Sequence, residues 1–348
     1  MKSLSLDLGS YSYKACYNQI ESSYPAQYAR GARSVIGQAF TALPQMLRCE
    51  VQSPFSGPYP LNFDVLTQQL TDYFSILQVD PTQTGLKCTL PPFTPLQIQK
   101  EFDQKIFEMY GFSSLFRAPG LYFAQYAPDV VEFAQTNASY AIMDIGNSQQ
   151  TISCFAYQNI IQSSVRRNDC GGQLLSQQLG QSLKLSEQPM LKKSTDTPIL
   201  LQNIFQLLMT SQQPIHISDS SISFQKHENS FEFVDKSNFY DLSNSFAKPD
   251  FINQLGSLQL VQNSVHNTPS VIKQSVKKVF LTGGLTKFAF ATRIENDLKQ
   301  KNEFNVQIIK GEENGILKGI ENFDDEKVKV KRSEYLEQGW EVCRRRFW

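Results

Sequence analysis

Two stretches of the sequence set a carboxylate, a glycine and a small polar residue at the end of an apolar alternation. In SLSLDLGSYSYKACY, Leu4, Leu6 and Leu8 alternate with polar residues around Asp7-x-Gly9-Ser10, and a second alternating run leads to Lys14-Ala15. The outline recurs in IMDIGNSQQTISCFAY, where Asp144, Gly146 and Asn147 match Asp7, Gly9 and Ser10. A strand–turn–strand of this kind brings backbone N–H groups to a phosphate while its carboxylate reaches a metal. Asp7 and Asp144 are thus either a pair that orders a magnesium ion through water or two turn-capping acids. Lys14 is either a point charge for a phosphate or part of a solvated strand face. One residue is out of place: Tyr11 puts a large ring where a phosphate turn favours the smallest side chain.

Two further glycine pairs stand at strand-to-helix turns. Thr282-Gly283-Gly284 follows the apolar strand Val279 to Leu281 and precedes an amphipathic pattern through about Leu298, and Gly171-Gly172 precedes QLLSQQLGQSL. Glycines there let a backbone approach a ligand closely. The elements that would position these turns read as α/β: helical spacing over Phe63 to Leu77, a strand in LKCTLPPF and an amphipathic helix over Leu96 to Tyr110. The echo of one turn in the other predicts two similar domains facing each other across a cleft; the alternative is coincidence between two hairpins. Residues 186–267 are rich in Gln, Ser and Asn and are the least legible part, and Ala29 to Ser53 reads as a short insertion.

At 348 residues the chain has room for two ordinary domains or one large bilobed one. Lysine plus arginine equal aspartate plus glutamate at 33 each, so any contact with nucleic acid or a charged surface has to be local. The local candidate is the C-terminal end, where Lys327, Lys329, Lys331 and Arg332 precede Arg344, Arg345 and Arg346, beside Phe347 and Trp348. It is either a solvated charge run or a contact for DNA phosphate or an acidic partner. Six cysteines without a CxxC spacing and three separated histidines, His216, His227 and His266, argue against a zinc site or a disulfide framework. With no apolar run of about 18 residues, the expectation is a chain that does not engage a membrane.

Taken in order, these motifs resemble the actin superfamily over nearly the whole chain. Asp7-x-Gly9-Ser10 with Tyr11 and Lys14 resembles the first phosphate loop, Asp144-x-Gly146-Asn147 the second, and LTGGLTKF, with Gly283, Gly284 and Phe288, the adenosine-binding turn. Within the superfamily the likeness is to the class of actin-related protein six: an aromatic at Tyr11, PFSGPYPLNFDV, the Gly-Gly with Gly172 in RRNDCGGQLL, and the Glu334 to Phe347 segment.

The resemblance implies an actin/Hsp70/hexokinase-type bilobed ATPase fold, with two duplicated domains around a nucleotide cleft. Subdomain 1 would comprise residues 1–28, 54–134 and 314–348, a short subdomain 2 residues 29–53, subdomain 3 residues 135–170 and 263–313, and subdomain 4 residues 171–262. It further implies ATP or ADP with Mg2+, the metal shared by Asp7 and Asp144. Hydrolysis is not expected: Gly120 stands where actin has its water-orienting glutamine, Thr151 where it has a histidine, and Asn147-Ser148 replace an acid and a glycine. The class implies a nuclear, non-filamentous subunit of a variant-histone exchange remodeller, contacting the remodeller ATPase, a small zinc-finger subunit and nucleosomal DNA. The alternatives are a cytoplasmic actin-related protein capping a filament in a cytoskeletal or motor-adaptor complex, or a phosphotransferase, for which the chain offers no catalytic acid or base.

Overall fold

The computed structural model describes residues 2–30, 34–37, 50–136, 138–174, 224–226, 231–233, 254–286, 307–311 and 314–347. Phe288, Trp348, His216, His227 and most of the helix expected after Gly284 lie outside these residues, as does most of the 186–267 stretch.

Leu4, Leu6 and Leu8 lie on strand β1 (Lys2–Leu8) and are buried. The first turn joins it to β2 (Ser12–Tyr17), which runs past Ala15 and pairs antiparallel with both β1 and β3 (Ile20–Pro25). On its other side β1 pairs in parallel with β4 (Thr84–Thr89), and β4 in parallel with β5 (Ser114–Ala118). Every residue of β4 and β5 is buried, as central parallel strands covered on both faces must be.

A second sheet repeats the plan. Strand β6 (Ser139–Ile145) pairs antiparallel with β7 (Gln150–Ala156) across the second turn, and β7 in turn carries β8 (Asn159–Ile160) and β9 (Arg166–Asn168). On its other side β6 pairs in parallel with β10 (Lys278–Thr282), and β10 with β11 (Gln307–Lys310). The sequence echo is therefore a topological one: in each sheet the strand before the turn has its hairpin partner on one side and a parallel neighbour on the other. The short β12 (Val330–Lys331), near the C-terminus, returns to the first sheet and pairs with β5.

The helices cover these sheets for local reasons. Helix α1 (Phe63–Ile76) starts at Asn62, whose side chain accepts from the Val65 N–H, and buries Phe63, Leu66, Leu70, Tyr73 and Phe74. Helix α2 (Leu96–Gln104) continues as a wider turn through Tyr110 and stops at Gly111, whose φ of +74° suits a residue without a Cβ. The short α3 (Gly120–Ala124) begins at the cleft, and α4 (Pro128–Thr136) leads into β6. Helices α5 (Ser257–His266) and α6 (Ser270–Lys273) precede β10, and α7 (Gly315–Asn322) precedes β12. Buried Lys87 donates from Nζ to the Glu321 and Phe323 carbonyls at 3.1 and 3.0 Å, closing the C-terminal end of α7.

The C-terminal helices α8 (Arg332–Gln338) and α9 (Glu341–Arg346) lock onto the first sheet through a buried ion pair. Arg117 on β5 forms a fork with Asp103 on α2 at 2.6 and 2.8 Å, Trp340 Nε1 donates to the same carboxylate at 3.0 Å, and the guanidinium lies 5.1 Å from the Phe347 ring centroid. Phe347 also meets Phe116 edge-on at 5.6 Å. Among the described residues no helix is long and apolar enough to cross a membrane, no group of three or more His, Cys, Asp or Glu side chains is arranged to hold a metal ion, and the five described cysteines are free and buried.

Candidate functional site: a cleft between two hairpin turns

Asp7 and Asp144 each occupy the next-to-last position of a strand, β1 and β6, so each carboxylate stands where a parallel sheet opens at its C-terminal edge. Both line one cavity of about 940 Å3 whose wall comes from both sheets. Ser10 and Asn147, from the two turns, meet across it, Asn147 Nδ2 donating to Ser10 Oγ at 3.4 Å.

The first turn is held by the sheet behind it. Thr89 Oγ1 accepts the Leu8 N–H at 2.8 Å and donates to Asp7 Oδ1 at 2.9 Å, which orients the carboxylate. Lys14 stands opposite Asp7 in the β1–β2 register and lines the cavity, as do Gly9, Ser10 and Tyr11. Burial pushes the Asp7 carboxyl above its ordinary range, against the pull of Lys14 and Thr89. Burial pushes Asp144 up to about 7; the neighbouring Asp7 charge adds to the rise and Lys14 opposes it.

The second turn is held by the Gly-Gly pair. Its Gly146 N–H donates to the Gln149 carbonyl at 2.9 Å, while the N–H groups of Gly172 and Gln173 reach the Gly146 and Asn147 carbonyls at 3.2 and 2.7 Å. A Cβ at Gly171 would run into the Asn147 backbone. Gly172, expected at the nucleotide, therefore supports the turn from behind and does not line the cavity. At the third turn Gly283 has φ +100° and packs against Asp144 and Ile145, where a Cβ would lie 2.6 Å from the Ile145 carbonyl oxygen. Gly284 borders the cavity with nothing within 4 Å of its Cβ position. Gly171 and Gly283 thus allow close packing of one turn on another, and Gly284 leaves the cavity wall free of side-chain bulk.

The donor set fits a polyphosphate carried with a divalent cation. Two carboxylates whose charges oppose each other are matched by a hard cation, and turn backbones with Lys14 suit phosphate oxygens. Asp7 and Asp144 would face the cation, and Gly9, Ser10, Gly146 and Gly283-Gly284 the nucleotide. Gln149, which sequence reasoning did not single out, lines the same wall, and its side-chain oxygen is buried with no hydrogen-bond partner among the described residues.

Arg167 on β9 joins the two halves at the rim. Its Nη1 donates to the Tyr59 hydroxyl and, at 3.2 Å, to the Pro92 carbonyl, its guanidinium lies 5.0 Å from the Tyr59 ring centroid, and the Tyr59 hydroxyl donates to the Phe93 carbonyl at 3.0 Å. Phe93 is 63% exposed with φ +60°, a conformation that costs a non-glycine residue free energy and that the surrounding bonds hold in place. An Arg167→Ala variant is expected to speed backbone amide exchange in 58–61 and 91–94 while protection in β4 and β6 stays unchanged. Unaltered exchange at the rim would show that the clasp contributes nothing.

The sequence profile of the family described as Actin matches residues 1–235. The chain belongs to the actin family. This actin-family chain is similar to Actin-related protein 6 of Arabidopsis thaliana, at 23% identity over 85% of each chain. It is similar at 24% to Actin-related protein 6 of Oryza sativa subsp. indica, over 78% of this chain and 80% of that one. Actin-like protein ARP6 of Cryptococcus neoformans var. neoformans is 28% identical over 51% of this chain and 38% of its own length. The bilobed actin-type architecture expected from the sequence agrees with the family match and with the paired sheets.

Proposed function

We propose that this actin-family chain is a non-filamentous interaction subunit of a nuclear chromatin-remodelling complex that exchanges a variant histone, and that it binds an adenine nucleotide with magnesium without turning it over. The observation that carries the second part is the uneven state of the cleft. Acids that could face a cation and glycines that could pass a phosphate line the cleft, whereas Gly120 and Thr151, both on the cavity wall, offer no base for an attacking water. The purified chain is expected to show no ATPase activity above that of an Asp144→Ala control. A turnover comparable with actin's, abolished by the substitution, would overturn this part.

The likeness to proteins named Actin-related protein 6 supports the first part. So does the span of only 25 residues from Ala29 to Ser53, which leaves little of the subdomain through which a head-to-tail polymer grows. Affinity purification of the endogenous protein followed by mass spectrometry tests it. Recovery of a remodeller ATPase and a small zinc-finger subunit supports the reading, and recovery of cytoskeletal or motor-adaptor subunits in their place overturns it in favour of a cytoplasmic capping role.

Within this reading Arg344 and Arg345 form the surface for nucleosomal DNA. Arg346 is committed to the fold, donating to Glu334 at 3.1 Å and to the Lys329 carbonyl at 2.7 Å, whereas among the described residues Arg344 and Arg345 hold only partners on α8 and α9 that sit at the surface. Changing both to Ser is expected to flatten the salt dependence of nucleosome binding by the assembled complex by up to about two units of log–log slope. An unchanged slope would leave the basic end as ordinary surface.

A further inference from the structure

The residue that fits the phosphate turn least well is the one that bears on which nucleotide the cleft accepts. Tyr11 lines the cavity and is 44% exposed. Its carbonyl accepts the Ala26 N–H at 3.0 Å, which ties its backbone to the chain just beyond β3. The turn before it has no slack, because a Cβ at Gly9 would lie 2.7 Å from the Ser12 carbonyl oxygen. On the opposite side the second turn comes within one hydrogen bond of the first, at Asn147 and Ser10, and is braced from behind by Gly171-Gly172. An anion lying between the two turns therefore shares the cavity with Tyr11. Among the described residues, moreover, the cavity wall carries three carboxylates, Asp7, Glu21 and Asp144, against the single ammonium of Lys14. A bound cation offsets part of that charge, but each further phosphoryl group adds negative charge that Lys14 alone faces.

We propose that Tyr11 makes this cleft selective for a nucleoside diphosphate over the corresponding triphosphate. Steric and electrostatic terms act together: each added phosphoryl lengthens the anion that has to share the cavity with Tyr11, and it adds a charge that the single Lys14 ammonium does not match. The inference rests on the nucleotide reading above and specifies its ligand.

The test is calorimetric titration of the purified full chain with MgADP and with MgATP, for the native protein and for Tyr11→Ala, Tyr11→Ser and Tyr11→Phe. The native protein is expected to bind the diphosphate at least ~10-fold more tightly. Tyr11→Ala should bring the two affinities together by tightening triphosphate binding, whereas Tyr11→Phe, which keeps the ring, should retain the preference. Tyr11→Ser makes a similar cut in volume should the alanine variant fail to fold. A ratio of affinities is insensitive to a general change in stability, so a merely structural role for Tyr11 would leave it unmoved. Equal affinities in the native protein, an unchanged ratio in both small variants, or loss of the preference in Tyr11→Phe would overturn the selectivity while leaving nucleotide binding intact. Binding of neither nucleotide would overturn both.

Discussion

Replacing Arg117 with methionine is expected to cost about 3–5 kcal/mol of folding free energy, read from the midpoint of urea unfolding. The expectation comes from what would be left behind. Asp103 and Arg117 are 0% and 2% exposed, and the fork between them is the main reason that a carboxylate can exist at that depth. Burial already drives the Asp103 carboxyl upward against the pull of Arg117 and the Trp340 indole N–H. Removing the cation leaves a choice between an unpaired charge and a protonated acid in the core, and it also removes the guanidinium from the Phe347 ring. The double variant Arg117→Met with Asp103→Leu should recover a large part of the loss, because neither charge then needs a partner. Full recovery is not expected, since Trp340 Nε1 loses its acceptor. A single substitution that costs less than about 1 kcal/mol would show that the pair does not hold the C-terminal helices in place.

An Asp144→Asn variant should be more stable than the native protein when ligand-free at pH 8, and should lose the stabilisation by nucleotide and magnesium. The sign follows from the direction of the shift. A carboxyl whose folded pKa lies at about 7, above its unfolded value of 3.8, contributes stability that is complete below the lower value and is lost as the pH rises through the higher one. The ligand-free native protein is thus strained above neutral pH by a few kcal/mol, and the amide removes that strain. At a hundred-fold excess over Kd, a magnesium nucleotide should stabilise the native fold by about 2.7 kcal/mol, and a chelator should abolish the gain. Thermal unfolding between pH 5 and 8, with and without MgADP, separates the two effects. If the Asp144→Asn variant melts like the native protein at pH 8 and responds equally to the nucleotide, the carboxylate is only a turn cap.

The parts of the cleft that are legible in the sequence are those in which chemistry is local. Asp7, Gly9, Asp144, Gly146 and Gly283 sit in or just before turns whose residue types announce a backbone need, and the repeated outline implies two facing hairpins without any strand being placed. What stays hidden depends on contacts between distant segments. Thr89 orients Asp7 from 82 positions away, and Arg167 reaches Tyr59 from 108. Gly172 illustrates the opposite case: a glycine pair before a helix has the composition of a ligand turn, yet the N–H groups of Gly172 and Gln173 go to the back of another turn. The arginine run at the C-terminus reads as one basic patch, but Arg346 is paired with Glu334 and Phe347 is buried. Net charge along the chain does not distinguish a paired arginine from a solvated one.

The return of β12 to the edge of the first sheet has a consequence for biosynthesis. Val330 and Lys331, which complete the outer edge of β5, and Phe347, which covers Phe116, leave the ribosome long after that strand. At ordinary translation rates the aromatic face around Phe116, Tyr122 and Phe123 waits on the order of tens of seconds for its cover. The first lobe therefore cannot close co-translationally from its N-terminal strands alone. During that interval its unpaired edge and exposed rings are the surface that a nascent-chain chaperone would be called on to shield.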